Sequence, residues 1–220
     1  MKPYYHDESS GITIYHGDCL AVLPSLEASS LVMTDPPYNA KKDYGICKDN
    51  LSNEAYAEQM GQVVAHCLRL ARNQFWVAPR YQMALWTSLL PKAHLIVIRR
   101  GASGPNRGGW ADQFETALSI GIPNKVCADL WDDIRLKGEG YFFREETYGH
   151  PGYTPSSIFG RAAKLLATDS LIDPFCGTGT SLEVAKKQGL KAVGIEINEK
   201  YAEIAAKRLS QGVLQFAAPE

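Results

Sequence analysis

Apolar and polar positions fall into alternating blocks along the chain. Short apolar runs cover residues 11–16, 30–34, 74–78, 94–98, 114–120, 170–173 and 191–196, and most end at polar, glycine or proline residues. Runs of this length read as strands buried in a sheet. Between them lie stretches whose apolar positions recur with helical spacing. The clearest carries Tyr56, Met60, Val63, Val64, Cys67, Leu68 and Ala71, with Ser52 or Asn53 placed to cap it. His66 falls near this stripe and reads as a packed core histidine. A second helix is expected over 81–90 with Met83, Trp86 and Leu90 as core, a third over 181–188, and a short one over 19–26 broken near Pro24. Strands alternating with helices predict a doubly wound, mainly parallel α/β sheet. The polar stretches 39–50 and 130–149 show no clear period and read as irregular.

Two strand ends carry chemistry. The run 30–34 stops at Asp35-Pro36-Pro37-Tyr38. Two prolines force an abrupt corner, which presents a carboxylate, a rigid backbone and an aromatic ring at one strand end. Ligands of open α/β sheets bind at that edge. A flat base with an exocyclic amine suits the corner: the carboxylate and a backbone carbonyl accept its two N–H bonds, and Tyr38 stacks on its ring. Taken alone, the tetrapeptide equally describes a proline-stopped strand with a solvated Asp and a packing Tyr.

The second strand end is Asp173-Pro174-Phe175-Cys176-Gly177-Thr178-Gly179-Thr180, between a strand and a helix. Gly177 and Gly179 allow conformations closed to residues with a Cβ and let backbone approach a ligand. The strand that follows ends in Glu196, where an acid would bond a cofactor ribose. The third glycine of the dinucleotide fingerprint is missing, and there is no Gly-x-x-x-x-Gly-Lys for an NTPase. A nucleoside-containing cofactor is the reading these residues support. Cys176 reads as a small residue packed in the turn.

With both ends in view, the chain resembles the S-adenosylmethionine-dependent amino-methyltransferases of DNA. Asp35 to Tyr38 is similar to that family's catalytic motif, in the form typical of adenine-N6 enzymes; a Ser in place of Asp is typical of cytosine-N4 enzymes. Asp173, Pro174, Phe175, Gly177, Gly179 and Thr180 match its cofactor loop, and Glu196 its ribose-binding acid. Gly17-Asp18-Cys19 is similar to the segment whose acid, here Asp18, lies near the cofactor adenine. His150-Pro151 through Pro155-Ser156 resembles the segment closing over the methionine end, but Thr154 stands where the family usually has Lys. That lysine is absent here, while Ser156 and Ser157 remain able to cap the next helix. The catalytic motif precedes the cofactor motif, the order called the β class. The resemblance covers residues 12–209. It implies a Rossmann-like methyltransferase sheet, S-adenosyl-L-methionine as cofactor, and DNA as substrate. It also implies methyl transfer to N6 of a flipped adenine, with Asp35, Pro36, Pro37 and Tyr38 as the catalytic corner and Asn39 beside the base. Cytosine-N4 methylation is the nearest alternative. RNA or protein methylation, and a non-catalytic nucleic-acid-binding module, are more distant ones.

Composition adjusts this picture. Charged residues make up 21% and hydrophobic ones 45% of 220 residues, as in one globular α/β domain with a substantial core. The whole chain reads as one methyltransferase domain, with a short target-recognition insert within 99–150. Net charge is −1, so contact with DNA requires a local basic surface. Arg99, Arg100 and Arg107, set among glycines and followed by Trp110, are the candidates. So short an insert suggests a short target site or help from a second subunit, which leaves a homodimer and a restriction endonuclease partner open. Five cysteines without Cys-x-x-Cys or zinc spacing, and no signal peptide or long apolar span, point to a metal-free protein of the cytoplasm of a bacterial or phage-infected cell. No Pro-Cys occurs, so cytosine-C5 chemistry has no nucleophile of the usual form.

Overall fold

The computed structural model describes residues 2–41, 50–99, 114–132 and 154–211. The strands are β1 (Tyr5–Asp7), β2 (Ile12–His16), β3 (Leu31–Thr34), β4 (Asn73–Val77), β5 (His94–Arg99), β6 (Phe114–Ile120), β7 (Leu130–Trp131), β8 (Ser170–Asp173) and β9 (Lys191–Glu196). The α-helices are α1 (Cys19–Val22), α2 (Asn53–Leu70), α3 (Met83–Leu89), α4 (Ser156–Leu166), α5 (Thr180–Gln188) and α6 (Glu199–Ser210). Short 3-10 turns at Leu23–Ser25 and Arg80–Gln82 extend α1 and precede α3. Pro24 lies in the first of these turns, as its missing N–H requires.

One nine-stranded sheet runs in the order β1-β2-β9-β8-β3-β4-β6-β5-β7. Strands β2, β9, β8, β3 and β4 form a parallel block. β6 is inserted antiparallel between β4 and β5, and β1 runs antiparallel on β2. The mainly parallel, doubly wound expectation therefore holds, with two reversed strands that hydrophobic periodicity does not reveal.

Alternation along each strand sends side chains to opposite faces. Leu31, Met33, Phe75 and Val77 pack with α4, α5 and α6 on one face. Val32, Trp76 and Ile172 pack with α1, α2 and α3 on the other. Helix α2 begins at the Ser52 cap, whose hydroxyl accepts from Ala55 N at 3.2 Å. Its far end is pinned by buried Gln74, whose Nε2 donates to the carbonyls of Cys67 and Ala71 at 2.8 and 2.7 Å.

Three local expectations are corrected. His66 is half-buried on the flank of α2, because helical spacing turns it away from the sheet. Trp131 belongs to the core: it stacks on Phe75 at 5.6 Å between ring centroids, and Arg161 covers it at 4.7 Å. Its two-residue strand is too short to leave a periodic signal. Helix α4 starts from Pro155 without a side-chain cap, so neither Ser156 nor Ser157 is the cap. Among the described residues, no helix is long and apolar enough to cross a membrane.

Candidate active site

The two singled-out motifs meet at the middle of the sheet. β8 and β3 are parallel neighbours, in register at Leu31 with Leu171 and Val32 with Ile172. The chain leaves them in opposite directions: β8 continues through α5 to β9, β3 through α2 to β4. Such a reversal opens a crevice beyond the carboxyl ends of the two strands, the ligand position of doubly wound sheets. Asp35 and Asp173 are brought to this edge side by side. Thr34, the last residue of β3, ties them together by donating its hydroxyl to Asp173 Oδ1 at 2.6 Å.

At the corner, Pro36 is buried while Asp35 and Tyr38 are half-buried. Side chains from distant elements hold the backbone. Tyr56 of α2 donates its hydroxyl to the Pro37 carbonyl at 2.8 Å. Gln82 donates Nε2 to the Tyr38 carbonyl at 2.7 Å. No donor among the described residues bonds the Pro36 carbonyl. The Asp35 carboxylate accepts from the Tyr38 hydroxyl on Oδ1 and from the Thr154 hydroxyl on Oδ2, the latter at 2.5 Å. Asn39 follows with φ +52° and donates Nδ2 to the Leu51 carbonyl at 2.9 Å.

The glycine turn is built differently from the simple expectation. Asp173 is 2% exposed, and its carboxylate accepts from Thr34, from Phe175 N at 3.0 Å and from the Ser181 hydroxyl. It pins the start of α5 and the turn to β3, pointing inward. Burial pushes its pKa up to about 6, against the opposing effect of those three donors. Gly177 and Gly179 have φ of +52° and +86°. A Cβ at Gly179 would lie 2.9 Å from that of Ala205, so this glycine serves the close approach of α6 to the turn. Arg208 of α6 donates to the Thr178 carbonyl at 2.5 Å and pairs with Glu183 of α5. Thr180 opens α5 and is buried, and Cys176 is buried with its thiol pushed up by desolvation, as a packing residue requires.

Glu196 ends β9 beside this turn. Its Oε2 accepts from Gly177 N at 3.0 Å and Oε1 from Asn198 N at 2.7 Å. Each oxygen keeps a further lone pair for a hydroxyl. Burial pushes Glu196 up to about 7, opposed by the two backbone donors. Gly17 N bonds the Glu196 carbonyl at 2.9 Å, which sets exposed Asp18 next to it; Asp18 also caps α1 by accepting from Leu20 N at 2.9 Å. A buried acid with spare acceptors, an exposed acid, and the half-buried ring of Phe175 fit a nucleoside.

Arg99 is exposed at the carboxyl end of β5, on the same edge of the sheet. Arg100, Arg107, Trp110, Pro151 and residues 42–49 and 133–150 lie outside the described residues. The structure adds Thr154, Tyr56, Gln82 and Arg208, which the sequence reading did not assign to the site. Only Thr154 had a sequence signal, as the departure from Lys.

The family model described as DNA methylase matches residues 144–207. The chain is 42% identical over 263 residues to the type II methyltransferase M2.LlaDCHI of Lactococcus lactis subsp. cremoris, covering 96% of this chain and 93% of that protein. Two solved structures share the fold. The M1.HpyAVI–SAM complex superposes with a TM-score of 0.69 at 18% identity, over 90% of this chain and 99% of the other. The cytosine-N4-specific PvuII DNA methyltransferase superposes at 0.73 and 17%, over 98% and 91%. With both motifs gathered at one switch point and relatives of this length and likeness, the chain belongs to the S-adenosylmethionine-dependent amino-methyltransferases of DNA, the N6/N4 family.

Proposed function

We propose that this protein transfers a methyl group from S-adenosyl-L-methionine to the exocyclic N6 of an adenine flipped out of DNA. The observation that carries the reading is the pair of acceptors at the corner. The Pro37 and Tyr38 carbonyls are occupied by Tyr56 and Gln82, while the Pro36 carbonyl stays open next to the Asp35 carboxylate. An exocyclic amine has two hydrogens to give, and this pair takes both. Holding them raises electron density on nitrogen as it pyramidalises. Tyr38 leaves its bond to Asp35 to stack on the base, and Pro37 keeps the corner rigid. N6 is paired and stacked inside a duplex, so the base must be extruded. When bound, S-adenosyl-L-methionine supplies the methyl group on a sulfonium. Asp18, Phe175 and Glu196 would hold its nucleoside, with Gly177 and Pro174 forming the backbone wall. Asp173, Gly179 and Thr180 shape the turn from behind. The corner acts by positioning and electrostatics, with no covalent enzyme intermediate. Once methylated, the amine sheds its surplus proton without needing a strong base.

Adenine is favoured by the Asp at position 35, on the family resemblance. Cytosine-N4 methylation is the second reading, supported by the likeness to the PvuII enzyme and by a cytosine amine of the same geometry. Arg99, Arg100 and Arg107 are assigned to the DNA backbone, and the whole chain to one domain with its recognition insert within 99–150. The test is incubation with labelled S-adenosyl-L-methionine and unmethylated genomic DNA, then nucleoside digestion and mass spectrometry. N6-methyladenine is the expected product. N4-methylcytosine would keep the chemistry and overturn the base. Unlabelled DNA, with cofactor bound normally, would overturn the DNA reading itself.

A further inference from the structure

We infer that Thr154 is a positioning residue for methyl transfer: its hydroxyl holds the Asp35 carboxylate in the orientation that receives the amine. The inference rests on the reading above, in which Asp35 is an amine acceptor. Thr154 is 9% exposed and lies 119 positions away in sequence, yet donates to Asp35 Oδ2 at 2.5 Å. A hydroxyl bonded to an ionised carboxylate is a strong, directional contact. Tyr38 bonds the opposite oxygen of Asp35, Oδ1, and must swing away to stack on a base. When Tyr38 leaves, the bond from Thr154 stays on Oδ2 and restrains rotation of the short Asp35 side chain about χ1 and χ2.

The placement of Thr154 is itself rigid. It directly precedes Pro155, the residue from which α4 starts, and Ile158 N returns to the Pro155 carbonyl at 3.1 Å. Ile158, Phe159 and Ala162 of α4 are buried in the same core as Leu31 and Met33 of β3. The hydroxyl and the carboxylate therefore stand on two elements packed against each other, and the bond is made at no conformational cost when substrate arrives. A threonine can serve where a flexible amine could not, because a β-branched side chain has few rotamers. Orienting Asp35 lone pairs toward one amine hydrogen, while the fixed Pro36 carbonyl takes the other, lets both acceptors act on the same nitrogen.

The test compares T154V, T154A and T154S with wild type and D35A, using the full chain, labelled S-adenosyl-L-methionine and unmethylated genomic DNA. Cofactor affinity is read by calorimetry and methyl transfer under single turnover. T154V and T154A should slow transfer about ten- to a hundred-fold, the worth of one hydrogen bond to a charged group, with cofactor affinity and KM for DNA unchanged. T154S, which keeps the hydroxyl, should restore most of the rate. Wild-type rates in T154A would overturn the inference, as would a T154S as slow as T154A, or a rate loss matched by loss of cofactor affinity. If T154V fails to fold, T154A decides, since it removes the hydroxyl without adding bulk. D35A separates the two claims. An active D35A overturns the reading of Asp35 itself, whereas an inactive D35A beside an unaffected T154A overturns only the role of Thr154.

Discussion

Asp35 follows a buried strand and precedes two prolines, and no donor among the described residues bonds the carbonyl of the first of them, Pro36. Removing its carboxylate should cost about a hundred- to a thousand-fold in methyl transfer, the usual scale for one preorganised electrostatic contact, while cofactor affinity is retained. Single-turnover assays with Asp35→Ala check this; near-normal transfer would exclude the mechanism. Gly179 predicts the complementary behaviour. Its φ of +86° and the 2.9 Å approach of Ala205 both oppose a side chain. A β-branched residue in that backbone region costs about 1–2 kcal/mol before any clash. Gly179→Val should therefore weaken cofactor binding roughly tenfold, measured by calorimetry. These residues could be singled out from the chain because backbone chemistry marks them: proline stops, and glycine at a strand-to-helix turn. Tyr56, Gln82 and Arg208 carry no such mark. Each is an ordinary helical or turn residue whose role appears only when its distant partner is in place.

The elements supply rigidity that their own sequences do not advertise. Helix α2 was legible from its apolar stripe and its Ser52 cap, although Leu68 of that stripe is exposed, and the stripe says nothing of Tyr56 reaching the corner. Its hydroxyl bond to the Pro37 carbonyl fixes the corner to a helix anchored at its far end by Gln74. A neutral hydrogen bond of this kind is worth about 0.5–1.5 kcal/mol. Tyr56→Phe should accordingly lower the transfer rate about two- to ten-fold at constant cofactor affinity, since the ring still packs. Equal loss in both quantities would mean that the corner and the cofactor turn are mechanically coupled, contrary to this separation. The strands illustrate the other limit of legibility. Residues 114–120 read plainly as a strand, but their insertion between β4 and β5 did not. The buried Thr116, Ala117 and Leu118 at its centre read the same whichever way the strand runs.

At the scale of the molecule, two buried carboxyls at the crevice set a pH dependence. Asp173 and Glu196 rise from ordinary values of 3.8 and 4.5 to about 6 and about 7, mainly through desolvation. The folded state thus binds protons more tightly than the unfolded one. The stability of the cofactor-free protein should fall as pH rises from about 4 to about 7, and thermal melts across that range test it. On the proposed function, bound cofactor would reverse the sign at Glu196. Ribose hydroxyls donating to its carboxylate would favour the charged form, so binding should release a proton below about pH 7 and tighten as pH rises toward that value. Calorimetry in buffers of different ionisation enthalpy measures that release; a pH-independent affinity would remove Glu196 from the cofactor site. The net charge of −1 belongs to this scale too, because it requires that contact with DNA be local, as exposed Arg99 on the active edge would provide.

By itself the sequence determined the alternation of strands and helices, the two strand ends that bear chemistry, and their likeness to one family. Hydrophobic period, proline stops and glycine turns act over a few residues and are therefore written locally. Only the tertiary structure decided that these ends lie side by side at the reversal between β3 and β8. It alone turned Asp173 inward as a pin, left the Pro36 carbonyl open, and set Thr154 on Asp35. Such facts depend on contacts between residues far apart in the chain, and those exist only once the sheet has assembled and two layers of helices have closed on it.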